Sequence, residues 1–198
     1  MDTHTFIIIG RSGCGKGTQA KLLIDFLSEK NPTTPLKYLE SGDKFRSFLK
    51  EQGYTQELSR AIMHEGRLQP SFLAVHIWSH ILIESMEGNE HLILDGTPRT
   101  LPEAMVLDSA MEFYSRTKPT VLYLDVSREW SRTRLSERKR ADDVSSAEVE
   151  KRLGWFDTEV MPALTYLKNH PLYTFLTING EQSIEDVHKE ILIKSGLQ

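Results

Sequence analysis

Short apolar runs alternate with longer amphipathic stretches along this chain. The first run, residues 6–9, reads FIII and is typical of a strand buried on both faces of a parallel sheet. A glycine-rich turn follows, and apolar side chains then recur at helical spacing from Ala20 to Leu27. The same alternation returns further along the chain. It predicts four more strands, at residues 37–40, 91–95, 121–126 and 172–178.

The amphipathic stretches between these strands predict helices. Beyond the first helix, they cover residues 43–52, 56–65, 71–84, 102–114, 128–138, 146–169 and 184–195. Ser145 with Glu148, and more weakly Ser183 with Asp186, are capping-box pairs that favour helix starts. Alternating strands and helices indicate the α/β class, with a parallel sheet and helices on both faces. Two segments depart from this pattern: 41–70, which has helices and no strand, and the charged corner 136–143.

Composition narrows the class of protein further. A length of 198 residues suits one domain, and a net charge of −4 gives no general attraction to nucleic acid or an anionic membrane. No apolar run approaches the roughly 18 residues of a membrane span, and the first residues do not resemble a signal peptide. The single cysteine, Cys14, can form neither an internal disulfide nor a structural zinc site. Composition therefore indicates a soluble, intracellular protein with neither a nucleic-acid nor a membrane partner. We expect a cytoplasmic location and, as a separate expectation, a monomer.

The glycine-rich turn at residues 10–18 carries the clearest chemical signal. Its sequence, GRSGCGKGT, lies between the first strand and the first helix. There, glycines let successive backbone N–H groups face a phosphate, and the helix N-terminus adds partial positive charge. Lys16 fits the pattern G-x-x-x-x-G-K-[ST], although Gly17 takes the hydroxyl position and Thr18 comes one residue later. We expect this loop to bind a nucleoside triphosphate, with Lys16 reaching the β- and γ-phosphates.

Charged side chains follow the later strands. The strand at 91–95 ends in Asp95, which should face the phosphate loop and can hold Mg²⁺ through water. Arg99 comes soon after it. Four more arginines come later, at Arg134, Arg138, Arg140 and Arg152. Several guanidinium groups at one pocket suit phosphoryl transfer, although a solvated helix face or a nucleic-acid patch is the other interpretation of residues 132–140.

Four motifs occur in a characteristic order. They are the loop ending in Lys16-Gly17-Thr18-Gln19, then Ser41-Gly42-Asp43-x-x-Arg46, Asp95-Gly96-x-Pro98-Arg99-Thr100 and Arg140-x-Asp142-Asp143. Together they resemble the adenylate kinase family of nucleoside monophosphate kinases, over almost the whole chain. The glycine at position 17, unusual in a generic phosphate loop, is what this family has.

The resemblance implies the three-layer fold of the phosphate-loop (P-loop) NTPases, with a five-stranded parallel sheet flanked by helices. It implies one kinase domain over residues 1–198, with its core at 1–40, 71–135 and 144–198. Segment 41–70 corresponds to the monophosphate-binding insertion and segment 136–143 to a minimal lid. Only Lys139 separates Arg138 from Arg140, where other family members have a longer loop or a small domain. We expect this short lid to shield ATP less completely.

The resemblance also assigns residues to the two substrates. ATP would contact Gly13, Cys14, Gly15, Lys16, Gly17, Thr18, Arg134, Arg138 and Gln182. AMP would contact Ser41, Arg46, Arg67, Leu68, Gln69, Gly96, Thr97, Pro98, Arg99, Glu103, Arg140 and Arg152. The residues expected to act in catalysis are Lys16, Arg99, Arg134, Arg138, Arg140 and Arg152, with Asp142 and Asp143 orienting the arginines.

The implied reaction is reversible, Mg²⁺-dependent transfer of the γ-phosphate of ATP to AMP, giving two ADP. It needs no general base, because the acceptor phosphate oxygen is already ionised near neutral pH. Arg46 and Arg99 would hold the acceptor α-phosphate, a task suited to bidentate guanidinium groups. Arg140 and Arg152 would bridge the two phosphate chains, so that positioning, Mg²⁺ and arginines promote in-line attack.

Two departures from the family bear on the acceptor base. Glu103 stands where adenylate kinases usually have a glutamine, and an ionised carboxylate, which only accepts, suits guanine better than adenine. Thr97 replaces a phenylalanine and removes an apolar wall near that base. The run Pro98-Arg99-Thr100 nevertheless resembles the adenylate branch, so AMP is the favoured acceptor. The alternatives are a kinase for GMP or CMP/UMP, and a non-catalytic regulator that binds nucleotides.

Overall fold

The computed structural model describes residues 3–137 and 146–198, and they form a parallel sheet between two layers of helices. Its strands are β1 (Thr5–Gly10), β2 (Leu36–Glu40), β3 (His91–Asp95), β4 (Thr120–Asp125) and β5 (Thr174–Asn179). They lie in the order β2-β3-β1-β4-β5, with every pairing parallel. The predicted α/β class, with a five-stranded parallel sheet, is confirmed. Each strand lies within two residues of its predicted bounds.

The helices of the described residues account for most of the remaining chain. They are α1 (Lys16–Lys30), α2 (Ser41–Phe48), α3 (Tyr54–His64), α4 (Ser71–Ser85), α5 (Leu101–Phe113), α6 (Arg128–Glu137), α7 (Ser146–Trp155), α8 (Met161–Asn169) and α9 (Ile184–Lys194). The predicted cap at Ser183 is present, because its side chain accepts a hydrogen bond from the backbone N–H of Asp186. Within the described part of the chain, no helix combines the length and apolarity of a membrane span.

Alternating side chains of the central strand supply both halves of the core. Ile7 and Ile9 of β1 pack on one face of the sheet, with residues from α4, α5 and α8. Phe6 and Ile8 pack on the other face, with residues from α1 and α9. All four side chains are at most 2% exposed, which explains why the run at 6–9 contains no polar residue.

The prediction of one continuous helix over 146–169 is wrong. A π-helical turn at Phe156–Val160 separates α7 from α8. Pro162 explains the interruption, because it has no N–H to donate and its ring crowds the carbonyl group four residues before it. The wider π-turn accommodates the proline without breaking the chain direction.

The helix predicted at 43–52 also has different ends. It begins at Ser41 and stops at Phe48. Arg60, on α3, donates to the carbonyl oxygens of Leu49 and Glu51 at 2.9 and 3.0 Å. These bonds satisfy backbone acceptors beyond the helix end, so the chain can turn there.

The two segments that depart from the regular alternation differ in what can be described. Segment 41–70 contains α2 and α3 and no strand among its residues, all of which the structure describes. In the charged corner, α6 continues to Glu137. Residues 138–145 lie outside the described part, and so do Arg138, Arg140, Asp142, Asp143 and the predicted cap at Ser145.

The strand order fixes where a ligand can bind. β1 lies at the centre, with β3 on one side and β4 on the other. The chain therefore leaves the carboxyl end of β1 on one side of the sheet and later returns to its other side. Such a switch point opens a crevice at the carboxyl edge of a parallel sheet, where ligands of open α/β folds bind.

Candidate active site

The phosphate loop follows β1 at this edge. Gly13 and Gly15 have positive φ angles of 84° and 96°, a conformation that few other residues adopt. Gly15 is the N-cap of α1 and has no side chain to occupy the first N–H groups of the helix. The Nζ atom of Lys16 donates to the carbonyl oxygens of Gly10 at 2.8 Å and Arg11 at 3.0 Å. The loop thus offers a lysine and a helix N-terminus to an anion.

Cys14 belongs to the packing of this loop. It is buried among apolar side chains beneath the sheet edge. Burial raises the pKa of its thiol above the ordinary value, although Lys16 acts in the opposite direction. The thiol is therefore neutral near pH 7 and fills space under the loop.

Asp95 ends β3 beside the loop. A Cβ atom placed on Gly17 would lie 3.6 Å from its Oδ2 atom, so the carboxylate faces the first turn of α1. The hydroxyl of Tyr38, on β2, donates to the same oxygen at 3.0 Å. Burial raises the pKa of Asp95, while the charge of Lys16 and the bond from Tyr38 lower it.

Ser41 joins the start of α2 to the end of β3. Its Oγ atom donates to the carbonyl oxygen of Gly96 at 2.8 Å and lies 3.2 Å from that of Asp95. Gly96 has a φ of 75°, and a Cβ atom there would lie 3.2 Å from Ser41 Oγ and 3.3 Å from Arg99 Nη2. The glycine thus allows the serine and the arginine to approach the backbone closely.

Guanidinium groups converge next to these backbone atoms. Arg99 donates through Nε to the carbonyl oxygen of Gly96 at 2.8 Å. A Cβ atom on Gly42 would lie 3.2 Å from Arg46 Nη1 and 3.7 Å from Arg99 Nη2, so both groups reach the same spot. Burial and the positive charges of Arg152 and Arg46 lower the pKa of Arg99, against the carboxylates of Glu103 and Asp95. Cations gathered in this way favour an anionic ligand.

Arg46 also contacts two carboxylates. Its Nη2 atom lies 2.9 Å from Glu40 Oε1 and 3.4 Å from Asp43 Oδ1. Both pairs are well exposed to solvent, where ion pairs contribute little to stability. An anion in the cleft can therefore replace them at small cost.

Glu103 lines the cleft, but residues just before α5 donate hydrogen bonds to its carboxylate. Oε1 accepts from Thr100 Oγ1 at 3.1 Å, and Oε2 lies within 3.4 Å of Thr97 Oγ1 and the backbone N–H of Arg99. Thr100 in turn caps the N–H of Glu103. The two residues thus form a variant of the capping box at the start of α5, in which Glu103 accepts from the hydroxyl of Thr100 and the N–H of Arg99 rather than from the N–H of Thr100. Burial raises the pKa of Glu103, against these hydrogen bonds and Arg99.

Residues 67–69 lie at the edge of the insertion. Arg67 is largely exposed and donates to Glu65 at 2.6 Å. The side chain of Gln69 is bonded to Ser59 of α3 in both directions, at 2.7 and 3.0 Å. Gln69 thus fixes α3 to the chain that leads into α4, and Leu68 beside it is half-buried.

The end of the cleft opposite the insertion contains Arg134 and Gln182. The guanidinium of Arg134 lies 5.0 Å from the ring centre of Trp130, an arrangement typical of a cation–π contact. Gln182 donates its side-chain amide to Asn179 O at 2.9 Å and Glu190 Oε2 at 2.6 Å. These bonds leave its main chain as the part available to a ligand.

All these features line one cleft of about 1110 Å³. Sites for a single small molecule typically measure about 300–1,000 Å³, so the cleft has room for two nucleotides. It includes every predicted site residue within the described part of the chain: Gly13, Cys14, Gly15, Lys16, Gly17, Thr18, Ser41, Arg46, Arg67, Leu68, Gln69, Asp95, Gly96, Thr97, Pro98, Arg99, Glu103, Arg134, Arg152 and Gln182. Arg138 and Arg140 lie outside the described residues.

Several cleft residues were missing from the sequence prediction. Tyr38 and Trp78 line the cleft from β2 and α4, and Trp155 and Phe156 line it around the π-turn. Tyr38 was detectable, because it lies two residues before the carboxyl end of a strand. Trp78 gave no such signal, since an apolar helix position is more often part of the core, and it is indeed 1% exposed.

The side chains present fit a magnesium ion bound together with phosphates. Among the described residues, no group of three or more His, Cys, Asp or Glu side chains is arranged to hold a metal ion. Asp95 offers one buried carboxylate beside the phosphate loop. Mg²⁺ commonly uses one or two carboxylates and completes its shell with water and substrate phosphates, so Asp95 suits this mode of binding.

A phosphate loop, an adjacent carboxylate and converging arginines at a switch point define a P-loop protein that acts on nucleotide phosphates. Comparison with family models narrows this class, since the model described as adenylate kinase matches residues 8–171. The chain belongs to the adenylate kinase family and is accordingly a phosphotransferase.

Individual relatives agree over nearly the full length. Adenylate kinase of Cyanothece sp. is 31% identical over 188 residues, which cover 93% of this chain and 91% of the relative. Adenylate kinase of Encephalitozoon cuniculi is 30% identical, with 96% of this chain and 97% of the relative covered. Adenylate kinase of Flavobacterium psychrophilum is 29% identical, with coverages of 93% and 94%.

Proposed function

We propose that this chain catalyses reversible, Mg²⁺-dependent transfer of the γ-phosphate of ATP to AMP, giving two ADP. The observation that carries the proposal is the convergence of Arg99, Arg46 and Arg152 in the same cleft as the phosphate loop. A protein that only bound ATP would not need a second cluster of cations for another phosphate. The names of the relatives support AMP as the acceptor.

The cleft divides between two substrates in this proposal. Gly13–Thr18, with Arg134 and the main chain of Gln182, bind ATP. Segment 41–70 is the monophosphate-binding insertion, and with residues 96–99 it binds AMP; the core comprises 1–40, 71–135 and 144–198. Arg67, Leu68 and Gln69 border the acceptor, and Arg140 and Arg152 act between the two phosphate chains.

Each charged residue has a defined task in the transfer. Arg46 and Arg99 hold the acceptor α-phosphate so that one of its oxygens faces the γ-phosphorus. A bond forms between that oxygen and phosphorus as the bond from phosphorus to the β–γ bridging oxygen breaks. Lys16 and Arg152 stabilise the charge that moves to the bridging oxygen, and no proton transfer is required. When bound, Mg²⁺, held through water by Asp95, would neutralise phosphate charge.

Water must be kept from the same phosphorus. In this proposal, segment 136–143 is a minimal lid, and Arg138 and Arg140 complete the arginine cage only when both substrates are bound. Such a short lid predicts measurable ATP hydrolysis without an acceptor. Asp142 and Asp143 orient the arginines.

Glu103 bears on the choice of acceptor. Its two carboxylate oxygens are engaged by Thr100, Thr97 and the N–H of Arg99. They are therefore not directed to the lone pair of adenine N1, whose repulsion would disfavour AMP. This geometry favours AMP over GMP, which together with CMP or UMP is the alternative acceptor. A non-catalytic regulator is the second alternative.

The cellular setting completes the proposal. We infer a cytoplasmic monomer that acts in nucleotide biosynthesis and has nucleotides, rather than nucleic acid or membrane, as its partners. The net charge of −4 supports this view, since it provides no general attraction to polyanions.

Steady-state transfer from Mg-ATP tests the function directly. The purified protein is given AMP, GMP, CMP, UMP or no acceptor, and each nucleoside diphosphate is separated and quantified. We expect ADP from AMP at a rate at least tenfold above that of the other acceptors. Higher activity with another monophosphate would support the proposed phosphoryl transfer but would show that this monophosphate, rather than AMP, is the preferred acceptor.

A matched pair of lysine variants identifies the site responsible. Lys16→Ala removes the loop lysine, and Lys30→Ala removes the lysine at the far end of the same helix, near Phe26. We expect loss of transfer by about 10²–10³-fold in the first and wild-type rates in the second.

Absence of transfer to all four acceptors in a protein that still binds ATP would support the regulator instead.

A further inference from the structure

We propose that Arg11 is a positioning residue that ties the phosphate loop to the π-helical turn behind Arg152. The tie sets the separation of the two phosphate-binding sides of the cleft. The inference rests on the proposed function for its kinetic consequence and on the contacts of the Arg11 side chain for its structure. Arg11 itself does not line the cleft.

Arg11 makes three contacts with one short stretch of chain. Its Nη2 atom lies 2.6 Å from Asp157 Oδ1, and Nη1 is 3.5 Å from the carbonyl oxygen of Leu153. Its guanidinium lies 4.4 Å from the ring centre of Phe156. An ion pair, a backbone contact and a cation–π contact thus act on residues 142 to 146 positions away in sequence. Only a planar, forked cation can make all three together.

The ion pair is shielded on the side of the loop. The side chain of Arg11 is 15% exposed, while that of Asp157 is 42% exposed. Its Nε atom is buried and has no hydrogen-bond partner among the described residues. Partial burial makes such a pair stronger and more geometrically defined than an exposed ion pair.

The main chain of Arg11 supports the loop lysine at the same time. Its carbonyl oxygen accepts from Lys16 Nζ at 3.0 Å and from the N–H of Cys14 at 3.2 Å. A displacement of Arg11 therefore moves an oxygen that positions Lys16. The residue connects the loop lysine, through its main chain, to the π-turn, through its side chain.

The other end of the tie lies directly behind an arginine of the site. Arg152 precedes Leu153, whose carbonyl oxygen Arg11 contacts, and lines the cleft. Its charge contributes to the lowered pKa of Arg99, so the two arginines are near one another. The π-turn at Phe156–Val160 begins just beyond this point, and such turns are frequent at functional sites. Arg11 holds this turn against the loop.

Asp157 has a second partner that provides a control. Arg128, on α6, lies 3.2 Å from Asp157 Oδ2 and 2.9 Å from Glu150 Oε2. It pairs with the same carboxylate, but it belongs to neither the loop nor the cleft lining. Arg128→Ala thus removes an equal charge from Asp157 and leaves the tie in place.

Steady-state kinetics of Arg11→Ala, Asp157→Asn, the double variant and Arg128→Ala test the proposal. We expect each single change to the tie to lower kcat by about 10- to 100-fold, with KM for ATP and acceptor within threefold. The double variant should be no worse than Arg11→Ala, because Asp157→Asn weakens a contact to the loop that Arg11→Ala has already removed. Arg11→Lys should recover only part of kcat, and Arg128→Ala should stay within threefold of wild type. Wild-type kcat in Arg11→Ala, or losses that multiply in the double variant, would overturn the proposal.

Hydrogen exchange of the nucleotide-free proteins provides a readout that does not depend on activity. Arg11→Ala and Asp157→Asn should each speed exchange in both connected segments, residues 10–19 and 149–160, whereas Arg128→Ala should not speed it at 10–19. Absence of transfer in the wild-type protein would refute the proposed function, but hydrogen exchange would still test whether Arg11 ties the two segments together. Exchange that rises only in the segment carrying the substitution would refute the tie.

Discussion

Tyr38 holds the Asp95 carboxylate in place, with its hydroxyl 3.0 Å from Oδ2. The tyrosine comes from β2, at the edge of the sheet, and the aspartate from the end of β3 beside it. Burial favours the protonated form of Asp95, while the tyrosine and Lys16 favour the carboxylate. The charge facing the phosphate loop thus depends on a residue outside all the recognised motifs.

Removal of this hydroxyl should change the pH dependence of the reaction. In Tyr38→Phe, the pKa of Asp95 rises further, because one of the interactions that lower it is lost. The acid limb of the kcat profile should therefore move to higher pH, with an unchanged rate on the plateau. Tyr123→Phe removes a similar bond, 2.8 Å long to Asp125, between two residues that do not line the cleft, and should not move the limb. Identical profiles for the two variants would contradict this role of Tyr38.

Asp95→Asn should reduce activity and increase stability. The folded-state pKa of Asp95 lies above its unfolded value, so its contribution to stability is greatest below the unfolded pKa and falls as pH rises through the folded pKa. The asparagine remains neutral and can still accept from Tyr38. At pH 7 we expect a Tm increase of about 2–4 °C for each kcal/mol gained, and loss of most transfer activity. The Tm difference from wild type should shrink towards pH 4, which calorimetry across pH would reveal.

Arg99 is the arginine whose replacement should cost most on the acceptor side. Arg99→Ala removes the half-buried guanidinium next to Gly96 and Ser41 and should lower kcat/KM for AMP by about 10²–10³-fold. Arg132→Ala, which loses an exposed pair with Glu150, is the control for charge and should remain near wild type. Near-normal turnover in Arg99→Ala would refute the assignment of the acceptor phosphate site.

Glu103 can either stabilise the start of α5 or contact the acceptor base, and two substitutions in the capping box distinguish these roles. Thr100→Ala should lower the free energy of unfolding by about 1 kcal/mol, through loss of the N-cap of α5. Glu103→Gln should retain the box, because glutamine serves in the same position. We therefore expect the ratio of AMP to GMP activity to change less than threefold in Glu103→Gln. A larger change would show that the side chain turns to the base when an acceptor binds.

The buried pair of Glu90 and Arg116 should stabilise the fold without affecting the reaction. The Arg116 guanidinium bonds both the carboxylate and, at 2.7 Å, the carbonyl oxygen of Glu90, and both residues are at most 5% exposed. They lie at the amino ends of β3 and β4, opposite the cleft. Arg116→Met should lower the free energy of unfolding by about 3–5 kcal/mol, because the buried carboxylate keeps the N–H groups of Glu87 and Gly88 but loses its only cationic partner among the described residues. Urea unfolding measures this loss, and kcat below the unfolding range should remain unchanged.

Local patterns in the sequence were sufficient for much of the fold. The FIII run and the glycine-rich turn fixed the first strand and the phosphate loop, because both patterns act over a few neighbouring residues. The proline at position 162 was visible too, yet the local pattern does not determine how a helix accommodates a proline. A kink, a break and a π-turn all relieve the same clash.

Features that depend on tertiary contacts could not be predicted from local sequence patterns. Tyr38 meets Asp95 only because β2 pairs with β3 in one register, and Arg11 meets Asp157 across 146 positions. Glu103 illustrates a different limit, since the pattern T-x-x-E at 100–103 was readable as a capping box. Comparison with the family glutamine instead suggested that Glu103 contacts the acceptor base, although the T-x-x-E pattern already predicted its contact with Thr100.

The hydrogen bonds of Lys16 have a consequence for how tightly ATP can be held. Two carbonyl oxygens of the loop accept from its ammonium group. The ammonium group has three N–H donors, so phosphate competes with these oxygens for its hydrogen bonds, and the net gain from each new bond is modest. After transfer, the lysine can return to the carbonyl groups as the diphosphate leaves. A loop that solvates its own cation thus favours rapid release, which the proposed reversible transfer requires.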